Sequence, residues 1–289
     1  MKFFKTLRCD INKTFVNIGF VGAVLLTFVL CFTAPAYTDN SNMKMYSIFE
    51  ALFSMDRKFI ELHSEFAANT LARMGMNGYV TLFLPIIVAF PFMVAFCTER
   101  NNGNIRFVIA RTGKMRYYLS KFVSCFLCGG LAVLIGISMF MVAMHILFPP
   151  MSSYNVGNEI YGGMAQQQSE FVLNLRYLFS NFLNGAIATM PAFFLSSFCK
   201  NPYIITCIPF MFTYVWETVM SKLMNNAIEN HYSGKAFETM TSFAPSSAQN
   251  MFDNRRHVAV TSIVFNTSFV AVFLIGFILI MSKTRDKGT

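Results

Sequence analysis

Six stretches of the chain are long and apolar enough to cross a bilayer, and nothing else in the sequence limits the fold so strongly. They run over approximately Thr14–Ala36, Asn77–Thr98, Lys121–Phe148, Tyr177–Cys199, Pro202–Leu223 and Val258–Ser282. A helix needs about 20 mainly apolar residues to span the hydrocarbon. Backbone in lipid must also satisfy its own hydrogen bonds, which leaves helices or closed barrels. The expected fold class is therefore an all-α integral membrane protein, with six transmembrane helices in a single transmembrane domain over residues 1–289. Composition agrees with this. Only 13% of residues are charged, against roughly 25% in soluble domains, and the 55% hydrophobic content excludes a disordered chain.

Lys and Arg near the span ends set the orientation. With the N-terminus inside, the inner segments carry Lys2, Lys5, Arg8 and Lys13, then Arg100, Arg106, Arg111, Lys114, Arg116 and Lys121, and finally Lys200, Lys283, Arg285 and Lys287. Asp10, Glu99 and Asp286 are the inner acids, so this face nets +11. The outer segments hold 9 basic and 10 acidic residues, and Glu217 lies within a span. The sequence thus predicts six spans with both termini cytoplasmic. The formal charge of +9 reads as a topology signal, and a nucleic-acid partner is not expected. Ala34-Pro35-Ala36 resembles a signal-peptide cleavage site. The apolar stretch Phe15–Phe32 is longer than a usual signal core, so an uncleaved first span is expected.

Residues 1–13 are expected to form an amphipathic interface helix. Phe3, Phe4, Leu7 and Ile11 can share one face, ringed by cations that suit anionic headgroups. In the first outer segment, Phe49, Leu52, Phe53, Phe59, Ile60, Phe66 and Ala67 recur at helical spacing, which predicts an outer amphipathic helix. The third outer segment, 224–257, is expected to hold short helices broken at Phe243–Ser247. Pro85, Pro91, Pro191 and Pro209 stand inside spans and can kink them. The cysteines all fall in spans or on the inner side, so no disulfide framework is expected.

Catalytic motifs are not evident. Gly113-Lys114 and Gly234-Lys235 both fail the phosphate-loop pattern, since Val108 and Glu229 stand where its first glycine belongs. The histidines lack metal-ligand spacing. Glu217 is the one acid deep in a span; it either faces a cavity or helix contact or snorkels to the interface beside Trp216. Asn181 and Asn184 share a helix face, and read as interhelical polar contacts or as pathway contacts.

The inner loop Glu99–Lys121 is the densest basic segment, with Phe107, Val108 and Ile109 forming an apolar run among its cations. It resembles the loop between the second and third spans of ABC-2 type transporter permeases. That pattern reads E-x-x-x-G-T, an apolar helix, a turn, then a basic pair leading to a Lys that opens the third span. Glu99, Gly103, Lys114, Arg116 and Lys121 match in order. Asn104 departs from the usual Thr, and Thr112-Gly113 replaces the commoner Pro-containing turn.

The resemblance implies that residues from about 103 to 114 form a coupling helix that seats in a groove of a separate ATP-binding subunit. Glu99, Gly103, Arg106, Phe107, Arg111, Lys114, Arg116 and Lys121 are the residues it assigns to ATPase coupling. It further implies two copies of that ATPase binding ATP and Mg, with no cofactor in this chain, and a second copy of this permease or a related permease as partner. The first and fifth spans would line the dimer interface and pathway. The expected function is ATP-driven export of a peptide, toxin, drug or other amphiphile, or self-protection, in a bacterial plasma membrane. Two other readings stay open: a membrane-embedded enzyme acting as a protease or on lipids, and a non-transporting ligand sensor.

Overall fold

The computed structural model describes residues 2–39, 44–150, 170–229, 235–252 and 255–285. Most of the second outer segment, 149–176, and the C-terminal residues Asp286 and Lys287 lie outside them. The described residues are almost wholly helical. Five helices are long and apolar enough to cross a membrane, or six if a bent pair at the N-terminus counts as one span.

That pair is α1 (Lys2–Phe15) and α2 (Ile18–Cys31), bent by 59°. The sequence reads as one span from Thr14, but Asn17 interrupts it. Its side chain accepts a hydrogen bond from the Gly19 N–H (3.2 Å) and donates to the Pro91 carbonyl (3.4 Å), so it starts a new helix in the manner of an N-cap. The apolar helix α2 has only 14 residues, about 21 Å at 1.5 Å per residue.

A small antiparallel hairpin follows, β1 (Pro35–Asp39) and β2 (Lys44–Ser47), pairing Tyr37 with Tyr46 and Thr38 with Met45. The outer amphipathic helix expected from Phe49 to Ala67 is instead divided. It becomes α3 (Ile48–Ser54), α4 (Arg57–Leu62), a 3-10 turn at Ser64–Phe66 and α5 (Ala68–Met74). Met55, His63 and Ala67 are extended between these pieces. Each break lets the next short helix re-aim its apolar side, and Ile48, Ala51, Phe66, Ala67 and Leu71 all end buried.

Helix α3 begins with a capping box. The Ser47 hydroxyl accepts from the Glu50 N–H, and Glu50 Oε2 accepts from the Ser47 N–H at 2.8 Å. The backbone bond from Ser47 holds the Glu50 carboxyl below its usual range. Folding therefore favours the ionised form, and the contribution of this cap is complete above the unfolded carboxylate value and is lost as pH falls through the lowered one. A carboxyl NMR titration should give Glu50 a midpoint below that of an unperturbed glutamate, and Ser47→Ala, which removes the hydroxyl bond and leaves the backbone one, should return it part of the way upward; an unshifted midpoint would remove the cap from the account.

The remaining helices are α6 (Tyr79–Asn101), α7 (Asn104–Thr112), α8 (Lys114–Leu147), α9 (Glu170–Ala188), α10 (Met190–Leu195), α11 (Pro202–Glu229), α12 (Lys235–Met240) and α13 (Arg256–Arg285). Pro85 and Pro91 lie inside α6 and Pro209 inside α11, whereas Pro191 falls in the first turn of α10 after a break at Thr189. Before α13, Ala244 is extended between two 3-10 segments, Thr241–Phe243 and Pro245–Phe252.

The chain divides into two compact units, with boundaries inside α2, α6, α8 and α9. One comprises residues 24–82 and 134–179. Its core gathers Cys31, Ile48, Phe66, Leu71, Met76, Phe140 and Met144. Gly75 lies against the Phe140 ring, where a Cβ would approach to 2.6 Å. The other comprises residues 1–23, 83–133 and 180–289. Its core is an aromatic stack in which Phe193 and Phe277 lie 4.1 Å apart, flanked by Phe96 and Tyr118. Part of the phenylalanine content of the apolar helices thus serves internal packing. Helices α11 and α13 are the least covered of the long helices, with 17% and 11% of their apolar windows buried.

Candidate coupling surface and its ion ladder

Helix α7 lies where the coupling helix is expected. Two glycines bracket it, both in the left-handed region that side chains with a Cβ rarely adopt: Gly103 at φ 70° and Gly113 at φ 89°. The first lets the chain leave α6 and enter α7 at once. The second ends α7, its N–H bonding to the Ile109 carbonyl at 2.8 Å. Ile105 and Ile109, four apart, form the buried face, and α7 packs against α1. Arg106, Phe107 and Arg111 are exposed, Phe107 at 75%. Of the apolar run Phe107–Ile109, only Phe107 points fully outward. Lys114 and Arg116 are exposed on the first turn of α8, which starts seven residues before the expected span and at 34 residues is about 51 Å long.

Glu99 and Lys121 are not on that exposed face. They belong to a buried ladder of alternating charge. Lys121 Nζ donates to Asp10 Oδ1 at 2.8 Å and to Glu99 Oε2 at 2.6 Å. Ser120 Oγ donates to Asp10 Oδ2 at 2.6 Å, and Lys13 Nζ donates to Glu99 Oε1 at 2.9 Å. Lys121 also stands over the Tyr117 ring, 5.4 Å from its centroid. The Lys121 and Asp10 side chains are 5% and 6% exposed. Both carboxylates are used at both oxygens and the four charges cancel, which is the condition under which buried ions are tolerated. The hydrogen bond to Glu99 holds the Lys13 ammonium above its usual range. In this way α1, α6 and α8 are pinned together beside α7.

Sequence reasoning counted Asp10 and Lys13 only as topology charges and assigned Glu99 and Lys121 to ATPase coupling, not to a buried ion group. The available signal was that Asp10 and Lys13 are three apart on one face of α1, a face that also buries Thr14. A second unforeseen feature is Arg100. Its guanidinium donates to the Ser196, Ser197 and Cys199 carbonyls (the latter two at 3.0 Å). Those carbonyls lie just past the end of α10, where the backbone has run out of intrahelical donors.

Asn181 and Asn184 are buried on α9. Asn181 Oδ1 accepts from Gln249 of the Pro245–Phe252 segment at 3.2 Å, and Asn266 of α13 donates to Ser247 at 3.0 Å. The segment is therefore stitched between two long helices by amide and hydroxyl groups, with Ala248 and Met251 buried beside Ile187. Glu217 lies on α11, apart from this stitching, and its Oε2 is buried without a hydrogen-bond partner among the described residues. Among the described residues no group of three or more His, Cys, Asp or Glu side chains could hold a metal ion.

Compared with known proteins, the chain matches no protein-family model and no curated protein.

Proposed function

We propose that the chain is the transmembrane permease subunit of an ATP-driven ABC exporter, with its termini and α7 on the cytoplasmic face and a separate ATPase supplying the energy. The observation that carries this reading is α7: a nine-residue helix set between two left-handed glycines, buried on one side and offering Arg106, Phe107 and Arg111 on the other. A short lever with one aromatic anchor and a cationic rim suits an acidic groove on a partner. The ladder supports the same reading, because it fixes the N-terminal helix on which α7 rests. The sparsely covered fifth span, α11, would meet a second permease copy, and the unpaired oxygen of Glu217 would find its partner in that copy or in the cargo. The cargo would be a peptide, toxin, drug or other amphiphile.

The test is assembly with a separate ABC-type ATP-binding subunit, to be sought first in a neighbouring reading frame. Purified alone, the permease should hydrolyse no ATP. Arg111→Glu with Lys114→Glu should weaken the complex at least about tenfold, as expected for charge reversal at an electrostatically complementary interface. Undiminished assembly together with undiminished transport-coupled hydrolysis would overturn the assignment of α7.

A further inference from the structure

The hairpin and the helices after it form an open-sided cavity of about 550 Å³ that the export reading does not use. Three aromatic rings line it: Tyr37 from β1, Tyr46 from β2 and Phe59 from α4. Glu50 and Asp56 supply two carboxylates, and Lys44 supplies one ammonium. The charge balance is thus one net negative. Glu50 is kept ionised by its capping bonds. Asp56 precedes α4 without making a side-chain capping bond, so its carboxylate is not used in holding the helix.

The cavity already shows which kind of group it accepts. Lys44 Nζ lies over the Tyr46 ring, 4.6 Å from the centroid. The face of an aromatic ring attracts a cation through its quadrupole, and here two carboxylates stand around the same space. Lys44 is exposed and can withdraw toward water. Phe49 and Phe53, next in sequence to the lining residues Glu50 and Ser54, stand on α3 at 56% and 76% exposure, 4.9 Å apart. They give an apolar body somewhere to lie once a charged head is seated.

We propose that this cavity binds the ammonium or guanidinium head of a cationic amphiphile, with its apolar body along Phe49 and Phe53. Two sources share that chemistry, a soluble amphiphile or basic peptide and the choline headgroup of a lipid. The inference goes beyond export and does not need the ATPase, since every wall of the cavity belongs to this chain. It therefore stands or falls on the purified permease even if the assembly test fails.

The experiment is calorimetry on the full chain in maltoside detergent, with octyltrimethylammonium, 1-octanol and octyl sulfate as probes. The cation should bind, and the alcohol and sulfate should bind about tenfold more weakly or worse. Tyr46→Ala and Asp56→Asn should each weaken the cation about tenfold, while Glu50→Gln, which keeps the capping geometry, should weaken it similarly. Lys44→Gln removes the resident cation at an exposed site and should tighten binding. That opposite sign separates recognition from a general loss of fold. Repeating the titration in phosphatidylcholine nanodiscs distinguishes the sources: weaker binding there assigns the cage to choline headgroups, and unchanged binding assigns it to soluble ligands. Equal binding of the three octyl compounds, or cation affinity indifferent to all four substitutions, overturns the proposal.

Discussion

Lys121→Met should destabilise the folded chain by about 3–5 kcal/mol, the range for removing one member of a buried ion group. Methionine nearly matches the lysine in length, so the loss is electrostatic. Asp10 and Glu99 would be left facing each other in the interior, with Lys13 alone between them and water, and Lys13 is 55% exposed. The effect should be seen as a lowered unfolding temperature in detergent, and as faster hydrogen exchange over Lys2–Phe15, the element the ladder holds down. Combining Lys121→Met with Asp10→Asn and Glu99→Gln removes charge from both sides and should restore much of the stability, because an apolar or neutral replacement avoids the desolvation of ions. Lys13→Gln alone should cost little, since an exposed ion pair contributes about 0–1 kcal/mol. Wild-type unfolding of the single Lys121 variant would show that the ladder does not hold α1.

The second large effect is expected at Gly185. There α8 and α9 meet backbone to backbone. A Cβ on Gly185 would approach Val133 Cγ2 to 2.6 Å and the Gly129 carbonyl oxygen to 2.9 Å, and a Cβ on Gly129 would approach the Gly185 carbonyl oxygen to 3.0 Å. Close approach through small residues is how helices associate where lipid removes the hydrophobic drive. Gly185→Leu cannot be absorbed by a rotamer change, because a carbonyl is among the atoms struck, and the helices must part. Overpacking typically costs about 1–3 kcal/mol and more when backbone must move, and separation would also pull Asn181 from Gln249. Gly22→Ala is the internal control: nothing lies within 4 Å of its Cβ, and alanine in a helix is better than glycine by about 0.5–1 kcal/mol. A chain that tolerates Gly185→Leu as well as Gly22→Ala would not have this crossing.

The long apolar helices were legible because their signal is local. Twenty apolar residues need no partner to be recognised, and the observed bounds differ from the expected ones by up to seven residues, with the first span broken at Asn17 and the fourth at Thr189. The inner-loop helix was expected from the family resemblance, and the structure shows Gly103 and Gly113 at its ends. The ladder was not legible. Its contacts join residues 86 and 111 apart, and no periodicity distinguishes an acid that pairs from one that merely counts against the cations. The outer segment misled for the opposite reason. The apolar spacing from Phe49 to Ala67 is helical, but Met55, His63 and Ala67 leave the helix, and the neighbour that rewards those breaks is the preceding hairpin, whose Tyr37 ring meets Phe59 and Phe66 more than twenty residues on.

The ladder has a consequence for how the protein responds to ionic strength. Mobile ions screen charges that reach water and leave enclosed ones nearly untouched. The four ladder groups draw equally on both signs, so they remove nothing from the inner-face excess of +11. The cations left over, Arg106, Arg111, Lys114 and Arg116 among them, are exposed. The enclosed part of the ladder, Lys121 with Asp10 and Glu99, is therefore nearly deaf to salt, while its exposed end at Lys13 and the outward-facing cations are tuned by it. Raising the salt concentration weakens whatever α7 attracts and leaves the N-terminal helix where it is.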